Sequence, residues 1–311
     1  MVNTVTGTGL LSREHPLAVG GSPSLSSVRA LLDGSALVLA VGTEFGETDY
    51  DMLFLGEPEL SATLIRIDID AQQLARNQRP ELALCGDAAA TLAALAERLP
   101  TRPREGARRA ALTRGAIRSE QHYHPQFQAV FDTLQQALPG LLLVGDSTLP
   151  TYYAVWQYEA DDPRRYFHSA TGGGTLGYAI PAAMGAKLAC PELPVVALIG
   201  DGSAQFTIAE LAAGAEAGLP VAVLVWNNSG YGEIEQGMRA SGFEPVGVAI
   251  PPPDFAALAR GMGCACAQPR TSEELVHALQ ASQDRDVPTV IELRQDDFIT
   301  EPAGQWYGGQ E

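Results

Sequence analysis

The sequence predicts an α/β protein built from two doubly wound parallel-sheet units. Three features point there. Short runs of valine, leucine and isoleucine are too uniformly apolar for a one-sided sheet. Helical patterns separate these runs, and glycine-containing turns stand where strands end and helices begin.

Taken in order, a helix around Ser27–Leu32 precedes the buried strand Ala36–Val41. A second strand, Leu64–Ile69, leads into a helix from Asp70 to about Arg76. The short strand Leu82–Cys85 and an alanine-rich helix over Asp87–Leu99 complete a first unit, residues 1–100. Residues 101–119 read as a connector or a surface helix, because the stretch from Pro100 to Ser119 has little periodicity and six of the nineteen arginines. The second unit, residues 120–311, starts with a helix over Pro125–Leu138 and the strand Leu141–Val144, which ends at Gly145-Asp146-Ser147-Thr148. The run Gly172-Gly173-Gly174-Thr175-Leu176-Gly177 opens a helix near Pro181–Leu188. Strand Val195–Ile199, helix Thr207–Ala217 and strand Val221–Trp226 follow. Helices Asp254–Met262 and Ser272–Gln283 and the strand Thr289–Leu293 close the unit.

Composition narrows the function. A chain of 311 residues holds about two domains. Its net charge of −17 argues against nucleic-acid or anionic-membrane partners, which require a basic face. No apolar run approaches the roughly 18 residues of a spanning helix. The start Met1-Val2-Asn3-Thr4 lacks the basic and apolar regions of a signal peptide, so a cytoplasmic protein is expected. Cys85, Cys190, Cys264 and Cys266 show no zinc-ligand spacing and are expected to be buried, inert thiols. Lys187 is the only lysine, which disfavours Schiff-base chemistry.

The segment Val195–Asn228 carries the chemistry. Its first strand ends at Gly200-Asp201-Gly202-Ser203, one helix follows, and the next strand ends at Asn227-Asn228-Ser229-Gly230. In a βαβ crossover the two strands are close neighbours, so Asp201 and Asn228 share the carboxyl edge where open α/β sheets bind ligands. A carboxylate, an amide oxygen and a backbone carbonyl are hard ligands suited to Mg²⁺, which completes its octahedron with phosphate oxygens and water. Glycines and a helix N-terminus accommodate phosphate. An ordinary turn and an Asn-Asn loop are the plain alternative, but the pair at this separation is far more specific than either alone.

Residues 195–232 resemble the diphosphate-binding motif of thiamine-diphosphate-dependent enzymes of the acetolactate synthase and 2-oxo acid decarboxylase superfamily. The resemblance implies that Asp201, the Asn228 side chain and the Gly230 carbonyl hold Mg²⁺. It places Gly202, Ser203 and Ala204, with Tyr231 and Gly232 alongside, against thiamine diphosphate. Gly174-Thr175-Leu176-Gly177 is similar to the loop whose bulky residue, here Leu176, props thiamine into a bent shape while the Gly174 carbonyl accepts from its amino group. Asp146, Ser147 and Thr148 resemble the other diphosphate-side loop; an aspartate beside phosphate is awkward, so Asp146 caps a helix or reaches the thiazolium side. Residues 1–100 resemble part of the family's central domain, and residues 120–311 a complete thiamine-diphosphate-binding domain.

The resemblance also implies what is missing: an N-terminal pyrimidine-binding domain whose glutamate activates the cofactor. A partner domain or subunit is expected to supply it, in a homo-oligomer, and the chain alone is expected to be inactive. Acetolactate synthases carry a glutamine and a tryptophan soon after the Asn-Asn pair. Here the stretch Tyr231-Gly232-Glu233-Ile234-Glu235-Gln236 lacks the tryptophan. It is more similar to decarboxylases of small 2-oxo acids, and among them to those acting on 5-guanidino-2-oxopentanoate. Glu233 falls at a substrate-lining position, where its carboxylate would suit a guanidinium; a helix-start glutamate favoured by the dipole is the alternative. An acetolactate-synthase-like carboligase and a non-catalytic assembly subunit remain open. Dinucleotide binding is disfavoured, since neither first strand is followed by Gly-x-Gly-x-x-Gly. His122, His124 and His168 read as structural.

Overall fold

The computed structural model describes residues 1–50, 60–100, 105–120, 124–170 and 173–299, apart from the side chains of residues 48 and 50. His122 and Gly172 lie outside the described residues. The chain divides into two units, Met1–Glu120 and Gln121–Glu311.

In the first unit, β1 (Leu37–Val41), β2 (Thr63–Asp68) and β3 (Leu82–Cys85) form a parallel sheet in that order. Helix α1 (Ser26–Asp33) sends Leu32 against Ala40, Phe45 and Leu64, and α2 (Ala88–Arg98) follows β3 with Asp87 as its N-cap. The helix expected from Asp70 to Arg76 is only a single 3₁₀ turn, Gln73–Ala75. The side chains of Asp68 and Asp70 accept from the N–H groups of Asp70 and Gln72, offering the backbone turns in place of a helix. The buried Arg66 guanidinium then takes the carbonyls of Arg76 and Gln78. The expected connector also changes character, since Gly106–Ile117 is a helix, α3, of the first unit. It buries Ala110, Thr113 and Ile117, and just beyond it the Glu120 carboxylate accepts from the Ser26 and Ser27 N–H groups at the start of α1. Arg108 and Arg109 are exposed, but Arg114 is half-buried and donates to the Ala18 carbonyl, so charged residues stand beside these anchors and the amphipathic pattern was hidden.

The second unit is a six-stranded parallel sheet of order β5-β4-β6-β7-β9-β8. Its strands are β4 (Leu142–Gly145), β5 (Tyr166–His168), β6 (Val195–Gly200), β7 (Val221–Asn227), β8 (Ala265–Ala267) and β9 (Thr289–Arg294). β6 and β7 are buried at every position, as strands covered on both faces must be. Helices α4 (Pro125–Ala137), α5 (Leu149–Gln157) and α11 (Ser272–Gln283) contribute to the core on one face around Phe127, Phe131, Tyr153 and Trp226. Helices α6 (Ala179–Ala189), α8 (Glu210–Glu216) and α10 (Phe255–Gly261) contribute to the other, around Ile180, Leu211 and Phe255. Between them in the chain lie α7 (Asp201–Thr207) and α9 (Gly232–Ala240).

Two- to three-residue details escaped the sequence patterns. The strands β5 and β8 are too short to show periodicity. Helix α5 buries Leu149, Pro150, Thr151, Tyr153, Ala154, Val155 and Gln157, so no polar face marks it. The helix expected over Thr207–Ala217 is two helices, and the first begins at Asp201, immediately after β6. Restarting at Glu210 buries Leu211 and Gly214 and leaves Ala212 outside. Of the four cysteines only Cys264 is buried, its thiol pushed up to about 11 by desolvation; Cys85, at the end of edge strand β3, is exposed. Lys187 is buried and donates to the Pro191 and Leu193 carbonyls, closing the turn after α6. Among the described residues, no helix is long and apolar enough to cross a membrane.

Candidate functional site

The strand order places a topological switch between β4 and β6. The chain leaves β4 toward β5 on one side and then returns to add β6 on the other. The crevice above such a switch is where open α/β sheets bind ligands. Thr148, just after β4, meets Gly200, the last residue of β6. A side chain built on Gly200 would come within 3.0 Å of the Thr148 hydroxyl and 3.9 Å of the Ser203 hydroxyl. Glycine therefore leaves a concavity between two hydroxyl donors. Gly200 is extended, with φ −78° and ψ 159°, and caps α7, so Asp201, Gly202, Ser203 and Ala204 form a buried first turn whose N–H groups have no intrahelical partner.

β6 and β7 pair in register with Gly200 opposite Trp226, which brings Asp201 and Asn228 to adjacent strand tips. One terminal atom of the Asn228 amide lies 2.8 Å from the Gly230 carbonyl oxygen and 3.2 Å from Oδ1 of Asp201. With nitrogen at that position, the amide makes two hydrogen bonds. With oxygen there, three oxygens converge, an arrangement that a cation would stabilise. Adjacent oxygens around a cation that binds at about 2.1 Å are separated by about 3 Å, matching this spacing. The other Asp201 oxygen, Oδ2, is buried without a hydrogen-bond partner. Desolvation pushes the Asp201 pKa up to about 6, although backbone N–H groups of Gly202, Gly230 and Asn228 pull it back in part. A fully buried carboxylate held this way is under-compensated, and a cation would offset its charge. Among the described residues, no cluster of three or more His, Cys, Asp or Glu side chains gathers. Asp201, Asn228 and Gly230 instead offer one charge and two neutral oxygens, a set that would suit a cation shared with an anionic ligand.

Glycine at 202, 230 and 232 keeps this corner tight. A side chain on Gly202 would sit 2.6 Å from the Tyr231 ring, and one on Gly230 would strike the Val248 carbonyl. On Gly232 it would collide with the Asn228 amide and come within 3.1 Å of Leu149.

The carboxylate of Asp146 is fully buried, accepting from the N–H groups of Ser147, Gly177 and Ala179 at 3.0, 3.2 and 2.9 Å. It caps the start of α6 and fastens the glycine loop to β4. Burial raises its pKa, against these hydrogen bonds. Of the two roles left open for Asp146, capping is the one its hydrogen bonds fill. Ser147 instead shares a 3.1 Å hydrogen bond with Ser169. In the glycine loop, Gly174 has φ +59°, which a side chain would strain, and Thr207 donates to the Gly177 carbonyl at 2.8 Å. Leu176 is half-buried beside it.

Glu233 lies in the first turn of α9, close enough to Tyr152 for its charge to raise the phenol's pKa along with burial, the larger cause. Contact between Leu149 and Gly232 brings the starts of α5 and α9 together, so Tyr152 belongs to the site's rim. Nothing local marked Tyr152. His168 ends β5 beside Gly145 and stacks on Tyr166 at 4.9 Å. Burial lowers its pKa to about 4, so the imidazole is neutral near pH 7.

Residues 145–293 match the family model for the thiamine pyrophosphate enzyme C-terminal TPP binding domain, and residues 1–95 match that for the thiamine pyrophosphate enzyme central domain. The chain belongs to the thiamine pyrophosphate enzymes. It is 40% identical over 303 residues to the probable 2-ketoarginine decarboxylase AruI of Pseudomonas aeruginosa, covering 94% of this chain and 53% of that protein. It is 33% identical to a benzoylformate decarboxylase of the same organism, over 87% of this chain and 50% of the relative. An acetolactate synthase of Mycobacterium avium is 31% identical over 94% of this chain and 50% of its own. The chain thus spans about half the length of the curated relatives it matches. As a thiamine pyrophosphate enzyme, it carries its cofactor-binding domain on the six-stranded sheet, with the convergent oxygens at the carboxyl edge.

Proposed function

We propose that this chain is the thiamine-diphosphate- and Mg²⁺-binding portion of a 2-oxo acid decarboxylase. The observation that carries this is the meeting of Asp201, Asn228 and Gly230 around one point, with Asp201 Oδ2 buried and unpartnered. Asp201 would supply the charge, with the Asn228 amide oxygen and the Gly230 carbonyl as the other two protein ligands of Mg²⁺. Gly202, Ser203, Ala204 and the Thr148 hydroxyl would hold the diphosphate. Leu176 and the Gly174 carbonyl would hold the thiamine portion. Thiamine supplies an electron sink for decarboxylation; the protein orients it, excludes water and selects the substrate.

Calorimetric titration tests the proposal. Thiamine diphosphate should bind the chain in the presence of Mg²⁺ and at least tenfold more weakly in EDTA, while NAD should not bind. Binding of NAD in place of thiamine diphosphate would overturn it.

For substrate, we infer a 2-oxo acid with a cationic end, such as 5-guanidino-2-oxopentanoate, another name for 2-ketoarginine. The 40% identity to a probable 2-ketoarginine decarboxylase and the carboxylate of Glu233 at the rim support this choice. A guanidinium pairs with a carboxylate through two parallel hydrogen bonds. In enzyme reconstituted with a pyrimidine-binding half, Glu233→Ala should lower kcat/KM for 5-guanidino-2-oxopentanoate roughly 10- to 100-fold, and that for benzoylformate less than threefold. An unchanged ratio between the two substrates would remove Glu233 from substrate recognition.

A further inference from the structure

Behind the convergent oxygens lies a buried polar relay that no motif announced. Glu292 is on β9, next to β7, with Val225 as its partner in the register. It is 8% exposed, as is Asn227 at the end of β7. One Glu292 oxygen accepts from the Asn227 amide nitrogen at 2.5 Å, and the other accepts from the Gln268 amide at 2.7 Å. The Asn227 amide is thereby oriented, since its nitrogen is committed to Glu292 and its oxygen must face the other way. That oxygen accepts from the Ser229 N–H at 3.1 Å.

This last bond matters because Ser229 has φ +61°, a left-handed conformation that a residue other than glycine adopts only when its surroundings enforce it. The left-handed turn is what brings the Asn228 side chain and the Gly230 carbonyl back toward Asp201. Backbone hydrogen bonds hold the far side of the loop: Tyr231 N–H donates to the Val248 carbonyl at 2.8 Å, and Ile250 N–H to the Ser229 carbonyl at 3.0 Å. On the near side, the hold runs from Gln268 through Glu292 and Asn227.

We propose that Glu292 is a positioning residue for the cation site: through Asn227 it sets the Ser229 turn and so holds two of the three oxygen ligands in place. The inference rests on the cation-site proposal above. It predicts a specific defect, weakened cation binding in a chain that remains folded. Groups behind a metal's direct ligands commonly change its affinity 10- to 100-fold.

The test is the Mg²⁺ concentration giving half-saturation of thiamine diphosphate binding, measured on the full chain well below the melting temperature of each variant. Glu292→Ala should raise it at least tenfold. Glu292→Gln should stay within about threefold of the parent, because its amide oxygen can still accept from Asn227 and Gln268 can rotate its own amide to present oxygen. Thr289→Val, on the same strand, removes a buried hydroxyl that has no partner and should change nothing. A Glu292→Ala half-saturation within threefold of the parent overturns the positioning role, as does an equal rise in Thr289→Val. If Glu292→Ala does not fold, the decision passes to Asn227→Asp, which keeps the acceptor for Ser229 but sets a carboxylate against Glu292; it should show the same tenfold rise, and parent-like binding would sink the proposal. Absence of any Mg²⁺-dependent binding by the parent chain would instead defeat the cation site itself.

Discussion

Asp201→Asn should melt at a higher temperature than the parent when no cation is present, and should no longer bind thiamine diphosphate in a Mg²⁺-dependent way. Both effects come from the same buried carboxylate. In the folded chain its pKa is about 6, against an ordinary value of 3.8. Below pH 3.8 the group is protonated whether the chain is folded or not, and it imposes no penalty. As pH rises from 3.8 to about 6, the unfolded chain gives up this proton first, so stability falls. Above about pH 6 the full penalty applies, about 2–3 kcal/mol. Asparagine is never charged, and its amide can donate to the Asn228 and Gly230 oxygens. At pH 7.5 the transition of the second unit should therefore rise by roughly 5–10 °C, and the gain should shrink as pH falls from 6 toward 4. Cofactor affinity measured in Mg²⁺ should fall roughly 100-fold or more, since the only charge among the three protein ligands is gone. Scanning calorimetry across this pH range, beside a binding titration, reads both. A variant that melts lower than the parent at pH 7.5 and still binds the cofactor would sink the cation site.

The second large effect concerns turnover. The purified chain, supplied with Mg²⁺, thiamine diphosphate and 5-guanidino-2-oxopentanoate, should release CO₂ at roughly 10²- to 10⁴-fold below the rate reached after a pyrimidine-binding half is added. That interval is what a well-placed proton-transfer group contributes, and the added half is proposed to supply a glutamate that activates the cofactor. The part of the Pseudomonas aeruginosa relative that this chain does not match, co-expressed with it, is the complement to add, because the chain spans 53% of that protein. Rapid CO₂ release without any complement would refute the dependence. Cofactor binding that persists with no turnover under any complementation would favour a non-catalytic assembly subunit.

Legibility differed between parts of the molecule for identifiable reasons. β6 and β7 were apparent because a strand buried on both faces must be apolar throughout, and their glycine and asparagine ends are sharp stops. Helix α5 was missed for the opposite reason, burial on nearly every side, which erased its period. The first turn of α7 read as loop because Gly202 and Ser203 are weak helix signals; what makes them helical is their position directly above β6. In the first unit, the turn after β2 looked helical, but the Asp68 and Asp70 side chains accept from the Asp70 and Gln72 N–H groups and leave only a single 3₁₀ turn.

By itself the amino-acid order determined the layered α/β class, the two strand tips carrying Asp201 and Asn228, and the family, because hydrophobic period and turn chemistry are local properties written within a few residues. Only the tertiary structure decided that β4 and β6 are neighbours at a switch point, that the Asp146 carboxylate is consumed in capping α6, and that Glu292 stands behind Asn227. Those depend on register between strands far apart in the chain, and register is fixed by the packing of whole faces rather than by any one segment.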